Sequence, residues 1–314
     1  VMSTIKRVAV IGTGVIGTGW IIRCLAHNKI VYAFDKDLRL KKRLLAEIKR
    51  TWPFVKKLFS KKKLNFKNFK YFTSIEETLK DADFIQECAT ENYVLKTKLM
   101  KGIGKYAKSN AIIASSSSGL LPTRIYSKCK KPERTIIGHP FNPVYLLPAV
   151  EIVPGKKTSK KYLKKAYKFY KSISMNPIMI KHEIPGYLSD RLQEALWREG
   201  LHIINEGYAT TKDLDRVIED GPGLRWSLMG TFLTFHLAGG KSGMKHMLEQ
   251  FGPALKLPWT KLKAPKLSNK LIKRLVEGTK KQSKGKSVFK ISNIRDEYLV
   301  KLQKLRKQYE RKLR

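Results

Sequence analysis

The sequence predicts an α/β fold: a doubly wound, mostly parallel sheet over residues 1–184, followed by an all-helical domain over 185–314. Two observations carry this. Short apolar runs alternate with helical stretches through the first part, which is the pattern of strands joined by crossover helices. Past Pro185-Gly186 the alternation stops, and only helical periodicity remains.

Residues 8–11 read as a buried parallel strand, and 15–27 as the helix that follows. A second strand covers 30–34 and ends at Asp35. A lysine-rich helix is predicted over 38–58, then a polar turn region to about Lys70. Residues 82–87 and 111–114 form further strands, separated by a helix that contains Lys96 and Met100. Two more strands cover 135–137 and 149–153, and another covers 177–180 after a helix. In the C-terminal part Leu188, Leu192, Leu196, Trp197 and Leu201 recur at helical spacing, closed by Gly207. Thr210 to Asp213 supplies an N-cap signal for the next helix. Turns are expected at Gly221-Pro222-Gly223, Gly239-Gly240 and Gly252-Pro253.

The 314 residues suffice for two domains, and 42% apolar with 10% aromatic content is ordinary for a globular chain. No apolar run approaches the roughly 18–20 residues of a membrane span. The apolar residues 8–11 run straight into glycines, so they form no signal-peptide core. Cys24, Cys88 and Cys129 lie far apart, without metal-ligand spacing. No metal and a reducing, cytoplasmic setting are the expectation. Charge is the anomaly: 65 Lys+Arg against 25 Asp+Glu gives +40. The lysines are spread over what read as solvent faces of helices: Lys41, Lys42, Lys49, Lys56, Lys57, Lys61, Lys62, Lys63, Lys160, Lys161, Lys164 and Lys165. Nucleic-acid binding is then expected only incidentally, as a salt-sensitive consequence of the field.

Gly12, Thr13, Gly14, Val15, Ile16 and Gly17 form a G-x-G-x-x-G run that follows a predicted strand and opens a predicted helix. The next strand ends in Asp35, eighteen residues after Gly17. That context makes the run a dinucleotide fingerprint and the domain Rossmann-like. Gly12 permits the tight turn, Gly14 lets a pyrophosphate reach the backbone, and Gly17 lets helix and strand pack closely. Asp35 accepts from ribose hydroxyls and repels a 2′-phosphate, which selects NAD over NADP. Lys36 and Arg39 lie near enough to weaken that selection.

A second constellation is Gly138-His139-Pro140-Phe141-Asn142-Pro143, with Glu151 twelve residues after the histidine. The prolines exclude a regular helix and predict His139 on a stiff, irregular loop. Glu151 is the one charged residue in the apolar run 146–153, where a carboxylate is costly without a partner. The two suit each other as a general base and the carboxylate that orients it. A loop histidine beside a solvated glutamate is the alternative.

The order of motifs resembles the 3-hydroxyacyl-CoA dehydrogenase superfamily along essentially the whole chain. It runs from the glycine fingerprint through Glu91-Asn92 with Lys96, the serines 115–118, and His139-x-x-Asn142-Pro143 with Glu151, to Pro185-Gly186. Within it the closer likeness is to the branch that oxidises L-carnitine, carried by residues 138–148, 194–200, 224–240 and 250–261. The resemblance implies NAD-dependent oxidation of a secondary hydroxyl, with His139 as base, Glu151 orienting it and Ser118 bonding the substrate oxygen. Asn142, Glu91 and Lys96 fall where the superfamily contacts NAD. One departure is Asp190, where hydroxyacyl-CoA enzymes carry an asparagine. An ionised carboxylate cannot donate to a carbonyl oxygen as an amide can, so Asp190 is a candidate for holding a cationic substrate, unless it pairs with Arg191 or Arg198. Carnitine's quaternary ammonium requires aromatic faces and nearby anions. Trp197, Trp226, Phe232 and Phe235 are the candidates for the aromatic faces, with core packing as their alternative. Arg225 is the candidate for the substrate carboxylate. The resemblance also implies a homodimer docking through the helical domain. Oxidation of another small 3-hydroxy acid such as L-gulonate, or of a 3-hydroxyacyl-CoA, is the alternative within the class. A catalytically idle, polyanion-binding basic protein is the alternative outside it.

Overall fold

The computed structural model describes residues 5–60, 64–261, 266, 268–274, 277, 284 and 286–313. Lys61, Lys62 and Lys63 of the lysine series, and Arg314, lie outside the described residues. The chain divides into two compact units, Val1–Asp190 and Arg191–Arg314.

The first unit is an eight-stranded sheet in the order β3-β2-β1-β4-β5-β6-β7-β8. Its elements run β1 (Arg7–Ile11), α1 (Val15–Ala26), β2 (Ile30–Phe34), α2 (Leu40–Phe59), β3 (Phe69–Phe72), α3 (Ile75–Leu79) and β4 (Phe84–Glu87). They continue α4 (Tyr93–Tyr106), β5 (Ile112–Ser115), α5 (Pro122–Ile125), β6 (Thr135–Pro140), β7 (Ala149–Pro154), α6 (Lys160–Ser172) and β8 (Asn176–Met179). Every neighbouring pair is parallel except β6 with β7. β4 and β5 are buried along their whole length, because helices cover both faces of a parallel sheet.

β3 and α3 occupy the end of the region that reads as polar turn and the residues just after it. The strand Phe-Lys-Tyr-Phe sits at the sheet edge and is only half-buried, so it carries little apolar signal. The five-residue α3 is too short for periodicity, and its sequence mark is its cap: the Ser74 side chain accepts from the Glu77 amide at 3.4 Å.

β2 lies on one side of β1 and β4 on the other, so the chain reverses direction across the sheet there. Ligands of such sheets bind outside the strand ends at that reversal. α1 runs beneath it and is buried almost throughout. Inside α1, Arg23 is 0% exposed and donates to four carbonyls: Val144 at 2.7 Å, Leu147 at 2.9 Å, Ser174 at 3.0 Å and Ile173 at 3.1 Å. Burial pushes its guanidinium down to about 9. The Val144 and Leu147 carbonyls tie the segment that follows His139 to α1, and those of Ile173 and Ser174 tie the end of α6 to it.

The second unit takes up the body of α7 (Ser189–Glu206), then α8 (Thr211–Asp220), α9 (Pro222–Trp226), α10 (Thr231–Ala238), α11 (Gly243–Phe251) and the helix Val288–Leu313. Thr210 and Asp213 form a full capping box on α8. Pro222 opens α9, where its missing amide costs nothing. α10 is mostly apolar yet lies open: Phe232, Leu233, Phe235 and Leu237 are all exposed. No described helix is long and apolar enough to cross a membrane.

Candidate active site

The glycine turn follows β1. Gly12 has φ +98°, and a Cβ there would stand 3.0 Å from the Cys88 carbonyl oxygen. A Cβ on Gly17 would collide with the Gly12 carbonyl, so helix and turn approach closer than any side chain allows. Gly14, by contrast, faces open space. It caps α1 without a side-chain bond, and Val15 and Ile16 make up the first turn. The first amides of α1 therefore stand ready for an anion. Thr13 donates to Asp35 Oδ2 through both its amide and its hydroxyl, each at 2.9 Å. Those bonds tie the end of β2 to the turn. Arg39 forms a fork onto the Asp37 carboxylate at 2.8–3.1 Å instead of facing Asp35 unopposed. The residues present thus fit a dinucleotide with an unphosphorylated ribose.

His139 is a correction to the expected loop: it sits in β6, and its ring is buried. The prolines fall at the strand end and beyond it, so they terminate the ladder without excluding the histidine from it. Antiparallel pairing of β6 with β7 places His139 directly opposite Glu151. Cross-strand partners share a face, and His139 Nδ1 lies 2.9 Å from Glu151 Oε2. The carboxylate also accepts from the Leu188 and Ser189 amides, each at 3.0 Å, and from the Ser189 hydroxyl at 2.6 Å. Burial pushes the Glu151 carboxyl up, but the bonds from His139 and Ser189 outweigh it and hold it below the usual range. With Nδ1–H committed to Glu151, Nε2 is left with a lone pair, as a general base needs. Asp190 Oδ1 stands 4.0 Å from that nitrogen. The Tyr187 ring packs edge-on at 5.6 Å, on a backbone with φ +46°.

The four serines at and after the end of β5 separate cleanly. Ser115 bonds Glu87, Ser116 accepts from Trp20 and Gln86, and Ser117 bonds Glu91. Ser118 alone of the four is exposed, and its amide donates to Glu91 at 3.0 Å. Asn142 is exposed as well, beside a cis peptide to Pro143.

Lys96 departs from the expected nucleotide contact. It is 1% exposed, and its ammonium is engaged by both oxygens of Glu87, at 2.8 and 3.0 Å, and by the Ala89 carbonyl at 3.0 Å. Three donors are thereby used inside the protein. Glu87 and Ser189 are the polar residues that the sequence did not single out. Glu87 had a weaker signal than Glu151, a carboxylate closing a buried strand that also carries Gln86.

The remaining substrate candidates belong to the second unit. Trp197, Trp226, Phe232, Phe235 and Arg225 are all exposed there, so core packing does not account for the aromatics. Arg198 pairs with Glu194 at 3.3 Å. All three thiols are free, and burial pushes them up to about 12 for Cys24 and Cys88 and about 11 for Cys129, which leaves no thiolate nucleophile near neutral pH.

Residues 7–184 match the 3-hydroxyacyl-CoA dehydrogenase NAD binding domain, and residues 186–287 match its C-terminal domain. The chain is 50% identical to an L-carnitine dehydrogenase of Oceanobacillus iheyensis over 95% of its own length and 97% of the relative's. It is 48% identical to one of Bacillus cereus over 98% and 94%, and 47% identical to one of Pseudomonas aeruginosa over 95% and 93%. Among solved structures, (S)-3-hydroxybutyryl-CoA dehydrogenase PaaH1 from Ralstonia eutropha matches with a TM-score of 0.64 at 26% identity, over 78% of this chain and 85% of that one. A 5-formyl-3-hydroxy-2-methylpyridine 4-carboxylic acid 5-dehydrogenase shares the fold over 97% and 99% of the two chains, with a TM-score of 0.80 at 20% identity. With its glycine turn, its paired histidine and both of these domains in sequence, the chain belongs to the 3-hydroxyacyl-CoA dehydrogenase family and is an NAD-dependent oxidoreductase acting on a CH–OH group.

Proposed function

We propose that the protein oxidises the 3-hydroxyl of L-carnitine to the 3-oxo form. His139 Nε2 takes the hydroxyl proton, and Glu151 stabilises the imidazolium that results. NAD, when bound, accepts the hydride from the same carbon. Ser118 hydrogen-bonds the reacting oxygen. The glycine turn holds the pyrophosphate, Asp35 the ribose, and Asn142 and Glu91 border the nicotinamide. Arg225 takes the substrate carboxylate, and Trp197, Trp226, Phe232 and Phe235 supply the aromatic faces for the trimethylammonium.

The observation that carries the substrate is Asp190, 4.0 Å from Nε2, in a chain half identical to L-carnitine dehydrogenases. A carboxylate beside the reacting alcohol attracts a cationic substrate and repels an anionic thioester. NADH formation from L-carnitine, L-gulonate and 3-hydroxybutyryl-CoA tests this directly. Turnover of the thioester or the sugar acid in preference to carnitine overturns it. Asp35→Ala should raise the Michaelis constant for NAD and narrow the gap to NADP. An unchanged cofactor preference would remove Asp35 from the site.

We place the protein in the cytoplasm as a homodimer. The apolar surface of α10, together with Leu192, Leu196, Leu255 and Trp259, supports a second copy as its cover. Polyanion binding is left as a salt-sensitive side effect of the charge.

A further inference from the structure

We propose that Glu87 and Lys96 are a positioning pair that sets Ser118 for the reaction by holding Glu91. The inference rests on the dehydrogenase reading above and concerns residues beneath the reacting groups.

Glu87 ends β4, paired in register with Ile11 of β1 on one side and Ser115 of β5 on the other. Its carboxylate is 0% exposed and lies below the strand ends where the cofactor would sit. Four hydrogen bonds from three groups converge on it: Lys96 Nζ on both oxygens, the Ala89 amide at 2.6 Å and the Ser115 hydroxyl at 2.5 Å. The Lys96 ammonium reaches onward to Glu91 Oε2 at 3.5 Å. The other Glu91 oxygen accepts from the Ser117 hydroxyl at 2.5 Å, the Ser118 amide at 3.0 Å and the Gly119 amide at 3.4 Å. A continuous path of hydrogen bonds, joined at Lys96 and Glu91 by an ion pair, therefore runs from a buried carboxylate to the backbone of the one exposed serine of the four. A fold needs no buried ion pair for stability, since apolar side chains of similar volume do as well. What the pair supplies is a fixed point: Glu87 and Ala89 hold Lys96, and Lys96 faces Glu91 at a set distance.

Removing the Glu87 charge leaves the ammonium with Glu91 as its neighbouring carboxylate. Glu91 is then drawn toward Lys96 and away from the amides of Ser118 and Gly119. The substrate oxygen loses its aligned hydroxyl, and misplacement on the scale of an ångström costs roughly 100-fold in rate.

The test is a double-mutant cycle on the full-length protein, read with whichever of the three alcohols the wild type oxidises. Wild-type inactivity on carnitine would thus strike the substrate reading without touching the cycle. Glu87→Gln should lower kcat by roughly 10–100-fold and leave the Michaelis constant for NAD within a few-fold, with a circular-dichroism melt confirming that it is folded at the assay temperature. Ser118→Ala should do likewise, and the two together should fall little below the worse single variant, because both act through one hydroxyl. Glu87→Gln with Lys96→Met, which removes the stranded ammonium, should recover part of the lost turnover. Should Glu87→Gln not fold, Glu87→Asp keeps the charge at shorter reach and enters the same cycle. Losses that multiply independently, an unchanged kcat in Glu87→Gln, or a loss confined to NAD binding would each overturn the proposal.

Discussion

In the first unit three charged groups of the site lie inside the protein: Glu87, Lys96 and Glu151 are each at most 1% exposed and held by several bonds. In the second, the aromatics assigned to the substrate stand in the open, with Phe232 83% and Trp197 56% exposed. The contrast separates two kinds of preorganisation. Proton transfer needs a base with fixed tautomer and direction, and one chain supplies both through β6 and β7. A cage for a cation needs aromatic faces stripped of water. If the exposed aromatics of the second unit are those faces, as proposed, a second copy or the substrate itself has to exclude the solvent.

The largest expected effect lies in the buried half. His139→Ala should lower turnover roughly 10³-fold, within the range for a lost general base, while NADH fluorescence titration shows cofactor affinity within a few-fold of wild type. Turnover near wild type would sink the mechanism. Glu151→Gln should cost about 100-fold through misorientation of the ring. Stability carries a separate signature. The Glu151 carboxyl is held below its usual range, so its contribution is complete above the unfolded value of about 4.3 and is lost as pH falls through the folded one. Melting temperature should therefore fall more steeply between roughly pH 5 and 3 in wild type than in Glu151→Gln. Equal slopes would show that the carboxylate bonds give no net stabilisation.

The same contrast explains what was legible in the sequence. The glycine turn, Asp35, and His139 with Glu151 could be read because each needs an unusual residue in an apolar or strained setting. The strand position of His139 could not, since Pro140 hides a ladder that ends one residue after it. Lys96 was placed by resemblance alone, and its setting is decided by Glu87, nine residues away, a pairing that no local pattern encodes. β3 was lost because half-exposed edge strands lack an apolar run. The four serines are equivalent in local pattern; the resemblance alone selected Ser118, and the structure leaves it as the exposed one of the four.

A smaller effect tests the open half. Leu237, 58% exposed on the apolar helix α10, is not among the substrate candidates. Leu237→Glu should weaken a dimer by about 2 kcal/mol, roughly 30-fold in its dissociation constant, if this helix lies at the centre of the interface. Analytical ultracentrifugation over a dilution series reads this directly. A wild-type monomer at all concentrations would leave α10 uncovered and remove the dimer.

The finest discrimination concerns the cation itself. Replacing the trimethylammonium of carnitine by an uncharged tert-butyl group keeps the shape almost unchanged. Packing alone therefore predicts little loss, whereas aromatic faces at a desolvated site predict a cost of roughly 1–2 kcal/mol. Asp190 adds a second source of discrimination, because its carboxylate stands 4.0 Å from His139 Nε2 and would face a charged substrate near the reacting carbon. The two sources can be separated. Leucine at Trp197 or Trp226 should remove the aromatic part and leave the rate of proton transfer intact, seen as a raised KM with little change in kcat. Asp190→Asn should remove the carboxylate part and, by restoring an amide donor, improve turnover of a neutral hydroxy ester relative to carnitine. Equal activity of the wild type on carnitine and its neutral isostere would mean that neither the aromatics nor Asp190 senses the charge, and the sugar-acid or acyl-CoA reading would then take precedence.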